Sequence, residues 1–112
     1  MSIYMDEEDA MARLGNNKKL YAILLKKFDG AAMFDDLKNK LASGDAAASQ
    51  AQAHTIKGLA ANLSLKDLSE KASAMELAFK NGASTDALDA AEIAQSVAAT
   101  EEAVKSWISG NS

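Results

Sequence analysis

The chain contains no proline, and that absence constrains its fold more than any other feature. Proline stops helices, because it lacks a backbone N–H and its ring clashes with the preceding turn. Here 24 alanines and 12 leucines stand against two valines. Alanine and leucine lead the helix scale, whereas β-branched residues lose rotamer freedom in a helix. An all-α fold is predicted, and a sheet-rich one is not. The chain has 112 residues, 48% hydrophobic and 25% charged, enough for one packed core and too few for two. Residues 1–112 are therefore expected to form a single domain.

Composition also removes several chemistries. With no cysteine there is no disulfide framework, thiol nucleophile or thiolate metal site. A single histidine excludes a two-histidine zinc site, and no resident metal or cofactor is expected. The net charge of −4 offers nothing to attract nucleic acid or an acidic membrane surface. No apolar run approaches the ~20 residues needed to span a bilayer. The acidic start, Met1 to Glu8, lacks the basic and apolar stretches of a leader. A cytoplasmic protein is the expectation.

Gly and Asn interruptions divide the chain into helices. Asp6 to Leu14 reads as a short helix ended by Gly15-Asn16-Asn17. A second stretch begins near Lys18 with Leu20, Ile23, Leu24 and Phe28, and bends around Asp29-Gly30. It then resumes through Met33, Phe34, Leu37 and Leu41. Asp45 is placed to cap a helix from about Ala46 to Leu63. Ser64, three residues before Asp67, reads as a capping box that opens the next helix. Leu65, Leu68, Ala72, Met75 and Phe79 then form one apolar stripe, closed by Asn81-Gly82. A last long helix carries Ile93, Val97, Val104, Trp107 and Ile108. Short connections predict an antiparallel up-down four-helix bundle with a short additional N-terminal helix.

The segment 53–63 is the informative one. At ~100° per residue, Ile56, Leu59 and Leu63 fall opposite His54 and are expected to form the core stripe. His54 then faces water, with Lys57, Gly58 and Ala61 on its side, and Ala47, Gln50 and Ala51 from earlier turns. A solvated helix face usually carries Lys, Glu or Gln, yet here the neighbours are mostly small. Gly58 in mid-helix costs about 1 kcal/mol relative to alanine. Neutral imidazole is a good nucleophile near pH 7, where its unperturbed pKa of ~6.5 leaves it mostly uncharged. Lys57 at i+3 brings an ammonium to its side, and the small residues leave room for a partner's acidic pocket. A phosphoryl group suits that arrangement, being anionic and transferred in line between two positioned atoms. No Gly-rich phosphate loop or P-loop lysine is present. ATP binding is not expected, and Mg²⁺ would come with the partner.

The run Ala53-His54-Thr55-Ile56-Lys57-Gly58-Leu59-Ala60-Ala61-Asn62-Leu63 resembles the phosphorylation-site signature of histidine-containing phosphotransfer (HPt) domains. Ala12-Arg13-Leu14-Gly15, Ala42-Ser43-Gly44-Asp45, Leu68-Ser69-Glu70 and Met75-Glu76-Leu77 are also similar to that family, so the likeness covers nearly the whole chain. It implies a phosphorelay carrier, not a self-sufficient enzyme. His54 would be the phosphoacceptor through Nε2, and Lys57 would support the phosphoryl group. Gly58 would give access, with Ala47, Gln50, Ala51 and Ala61 as docking positions by their place on the face. Glu76 matches a supporting position on the adjacent helix. The implied partners are response-regulator receiver domains and a hybrid sensor histidine kinase, met by a monomer. Two residues depart from the family pattern: Leu59 replaces a small residue, and Ser64 stands where glycine is usual.

Blander readings stand beside these. His54 also reads as an incidental surface histidine, Lys57 as a solvated lysine, and Gly58 as a packing glycine against a neighbouring helix. Asn62, ~80° around from His54, reads as structural. A helical scaffold that binds receivers without carrying phosphate is a competing function. So is the phosphorylatable domain of a chemotaxis-type kinase, excised from a longer chain.

Overall fold

The computed structural model describes residues 4–88 and 90–111. Met1, Ser2 and Ile3, part of the segment read for a leader, lie outside the described residues. The fold is all-helical, with six helices in chain order and no strand among the described residues. They are α1 (Glu7–Arg13), α2 (Lys18–Lys27), α3 (Gly30–Ala42), α4 (Ala46–Asn62), α5 (Lys66–Lys80) and α6 (Ala91–Asn111). A short 3-10 turn, Thr85–Ala87, precedes α6. None of the helices is long and apolar enough to cross a membrane.

Helix starts follow side-chain caps. Asp6, Asn17, Asp29 and Asp45 each accept the N–H of the third residue onward, at Asp9, Leu20, Ala32 and Ala48. The cap at Asp29 corrects one expectation, because the stretch from Lys18 to Leu41 is two helices and not one bent helix. Phe28 is extended, Asp29 caps afresh, and Glu101 of α6 accepts the Ala31 N–H at 2.9 Å. Two helices therefore precede the four longest ones. A Cβ on Gly30 would come within 3.1 Å of the Phe28 ring and 3.2 Å of the Glu101 carboxylate, so a side chain here would make those neighbours give by a few tenths of an ångström.

α4 packs against α3 and α5, α5 against α6, and α6 back against α3, closing a ring of four helices. The α4–α5 interface is the most extensive. Ala53 and Ala60 on α4 and Ala72 on α5 are fully buried. Leu65, Leu68, Met75, Phe79, Ile93, Val97, Val104 and Trp107 are buried as the stripes predict. The core face of α4 differs from expectation. It consists of Ser49, Gln52, Ala53, Ile56 and Ala60, while Leu59 is 44% exposed and Leu63 half-buried. A face made of alanine, serine and glutamine carries little hydrophobic contrast, so the leucines misled the periodicity.

The capping box at Ser64 is also not formed. Leu65 is the N-cap of α5 and has no side-chain cap bond. Ser64 is buried in the left-handed region at φ 58, and its hydroxyl donates to Asp9 at 2.7 Å. Its carbonyl accepts the Asp6 N–H at 2.9 Å, and Lys66 pairs with Asp6 at 2.9 Å. α1 is thereby fastened to the end of α4. The Lys66 ammonium holds Asp6 below the ordinary carboxylate range, and the Ser64 hydroxyl does the same for Asp9. α2 is fastened to the same end: the Tyr21 hydroxyl donates to the Leu63 carbonyl at 2.6 Å, and its ring meets Trp107 edge-on at 5.0 Å. Tyr21→Phe strands that carbonyl and is expected to cost about 1 kcal/mol in urea unfolding, an unchanged midpoint showing the tie to be idle.

Candidate functional site

His54 sits mid-way along α4 and points outward, its side chain 65% exposed. The site is completed from α5. Leu68, Ala72, Met75 and Phe79 turn one face of that helix into the core, and Glu76 lies at its edge, buried with its side chain 6% exposed. From there its carboxylate reaches both His54 and Lys57 of α4. Oε2 lies 2.7 Å from His54 Nδ1, and Oε1 lies 2.7 Å from the Lys57 ammonium. Lys80, one turn further along α5, brings a second ammonium to 3.6 Å from Oε2.

An ionised carboxylate only accepts, so the proton between Glu76 and the ring belongs to Nδ1. The neutral ring then keeps its lone pair on Nε2, on the far side from Glu76. The carboxylate is ionised because its cations outweigh burial. Lys57's hydrogen bond lowers its pKa most, His54 adds to this, and together they hold it at about 2 against desolvation. Here Glu76 fixes the tautomer and ring orientation, as a carboxylate behind a metal-bound histidine does.

Lys57 is half-buried on the same side of α4 as His54, but its ammonium is spent on Glu76 and does not stand free beside the imidazole. Gly58 lies one turn beyond His54, and a Cβ there would meet nothing within 4 Å. That removes the reading of Gly58 as a packing glycine. Ala47 and Ala51 are exposed, and Gln50 and Ala61 half-buried, along the same side. The face around the ring is thus low and open. Leu59 adds apolar bulk in solvent on the α2–α3 side, where it lines a cleft of about 490 Å³ with Leu24, Phe28, Met33 and Leu63. Among the described residues no three His, Cys, Asp or Glu side chains come together to hold a metal ion.

The residue that sequence reading left out is Lys80. The available signal was its spacing: Glu76 and Lys80 stand at i and i+4 on α5, the usual separation of a helical ion pair.

The family model described as Hpt domain matches residues 28–107. That span takes in α3 to α5 and most of α6, with His54, Lys57 and Glu76 inside it. Residues 12–15, one of the similar stretches noted above, fall outside. No curated protein and no solved structure matches the chain.

Two outcomes test this geometry. Gly58→Ala fills open space and removes a helix-interior glycine, so it is expected to stabilise the fold by about 0.5–1 kcal/mol in urea unfolding; a loss of stability would reveal a hidden contact. Glu76 has a depressed pKa, so its contribution to stability is complete above its ordinary value of 4.5 and is lost as pH falls toward about 2. Glu76→Gln should remove that share of the acid slope, and an identical slope in both proteins would show the carboxylate to be uncoupled.

Proposed function

The chain belongs to the Hpt domain family, and on that premise we propose that it carries phosphoryl groups on His54 between receiver domains of a multistep two-component phosphorelay. Membership makes phosphotransfer in two-component signalling its field of action. The observation that carries the specific reading is the exposed imidazole whose Nδ1–H is held by a buried carboxylate, leaving Nε2 as the nucleophile.

The step proposed is a direct displacement. The Nε2 lone pair attacks the phosphorus of a receiver's aspartyl phosphate. The P–O bond breaks, its electron pair stays on the receiver carboxylate, and an N–P bond forms. Nε2 has no proton to lose, so the ring takes up positive charge as the bond forms. Glu76 stands against Nδ1 to offset that charge, and the reverse reaction passes the group to a second receiver. Lys57 supplies fixed positive potential beside the ring for the arriving phosphoryl group.

The remaining residues serve access and rigidity. Ala47, Gln50, Ala51, Gly58 and Ala61 form the face on which a receiver settles, and their small size lets its acidic pocket close over the ring. The proposal gives the divalent cation of that pocket to the receiver, and asks this chain only for a positioned nucleophile. In this reading α3 to α6 act as an up-down four-helix bundle that holds the ring still, and the protein works as a cytoplasmic monomer. Weak, exchanging contacts suit a carrier that must leave each partner.

Incubation with phosphorylated receivers tests the proposal. Label is expected to move to the wild-type chain as acid-labile phosphohistidine and to be absent from a folded His54→Gln variant. Undiminished labelling of that variant would refute the assignment, and receiver binding with no transfer would favour the scaffold.

A further inference from the structure

Two ammonium groups, not one, stand at the Glu76 carboxylate that holds His54, and they are held very differently. Lys57 lies 2.7 Å from Glu76 Oε1, on a side chain only 32% exposed. Lys80 lies 3.6 Å from Oε2, beyond hydrogen-bond distance, on a side chain 55% exposed. Oε2 is also the oxygen that holds His54 Nδ1. The loosely held ammonium is therefore the one that shares an oxygen with the ring.

We propose that Lys80 is the residue that contacts the phosphoryl group on His54 directly, while Lys57 stays on Glu76. This deepens the phosphocarrier reading and rests on it. The first argument is the cost of moving each cation. Turning Lys57 toward the phosphoryl group would strip a buried carboxylate of one of its two partners at 2.7 Å, and unpairing a buried charge is expensive. Turning Lys80 breaks only a 3.6 Å contact made by an exposed side chain, and so loose a pair contributes little. Its flexible four-carbon stem allows that swing, and a compact ammonium suits a phosphoryl oxygen.

Formal charge gives the second argument. Before transfer, Glu76 carries one negative charge and the two lysines carry two positive, so the cluster holds one cation in surplus. After transfer the phosphoryl group brings two negative charges and the ring one positive. With Lys57 still paired to Glu76, Lys80 is the charge that balances the phosphorylated ring. Position at i+3 on α4 and the family resemblance both point to Lys57 for this task; the proposal gives the direct contact to Lys80 because Lys57 is paired with Glu76.

Phosphoramidate, a small-molecule phosphodonor that needs no receiver, tests the contact in the full chain by ¹⁵N and ³¹P NMR. The Lys80 side-chain nitrogen signal is expected to move when His54 is phosphorylated, and that of Lys57 to stay. In exchange with a phosphorylated receiver, Lys80→Ala should lower the share of label on His54 roughly three- to fivefold at low salt. Lys80→Arg should restore most of it, and the deficit should close near about 1 M salt, where exposed charges are screened. Lys80→Ala must keep wild-type helicity, since Lys80 bears no core contact in this account. Equal label shares in wild type and Lys80→Ala at low salt, or movement of the Lys57 signal in place of Lys80, would overturn the proposal. A wild-type chain that phosphoramidate modifies with the Lys80 shift, but that takes no label from receivers, would support the contact and sink the relay reading.

Discussion

The site depends on one carboxylate lodged between two helices. Burial alone would favour its neutral form, yet Lys57 and His54 hold Glu76 ionised down to about 2. An ionised Glu76 can only accept, and that single fact places the proton on Nδ1 and the lone pair on Nε2. The reach of the carboxylate to α4 in turn depends on helix separation. Ala53, Ala60 and Ala72 are small and fully buried, and across the closely packed α4–α5 pair one glutamate grips two residues of the facing helix. Packing, protonation and nucleophile are links of one chain of cause.

The same economy explains the outer face. An imidazole on a rigid helix is useful only if a partner can enclose it, and Gly58 with its neighbouring alanines keeps that approach clear. On the proposed function, the helix gives up about 1 kcal/mol at Gly58 for this. The far end of α4 is secured independently. Ser64 accepts a left-handed backbone, and its hydroxyl and carbonyl fasten α1. Tyr21 fastens α2 to the adjacent carbonyl. Both departures from the family pattern thus have a physical place: Ser64 is a clamp, and Leu59 lines a cleft where added bulk meets solvent and no core.

Much of this was legible from residues. The stripes of α5 and α6 have strong contrast, so Leu68, Met75, Phe79, Ile93 and Val97 were assigned to the core and are buried there. The sequence places His54 outward because Ile56, Leu59 and Leu63 lie opposite it; the ring does face solvent, although of those three only Ile56 is buried. The rest escaped for identifiable reasons. On α4 the buried face is Ser49, Gln52, Ala53 and Ala60, residues whose hydropathy says nothing, so Leu59 was wrongly turned inward. At the break after Phe28, the Asp29 cap is joined by Glu101, which accepts the Ala31 N–H from 70 residues away, a contact no local pattern contains. Glu76 was recognised by resemblance, but its grip on Lys57 depends on an interhelix distance that no periodicity contains.

The central claim is that Glu76 fixes the His54 ring as the Nδ1–H tautomer, and ring-nitrogen NMR reads it most directly. In a long-range ¹H–¹⁵N spectrum of the unphosphorylated protein, at a pH where the imidazole is neutral, Nδ1 should resonate as a protonated nitrogen and Nε2 as an unprotonated one. Intermediate shifts at both nitrogens, or the reverse assignment, would mean that the ring is not fixed by the carboxylate and would contradict the account.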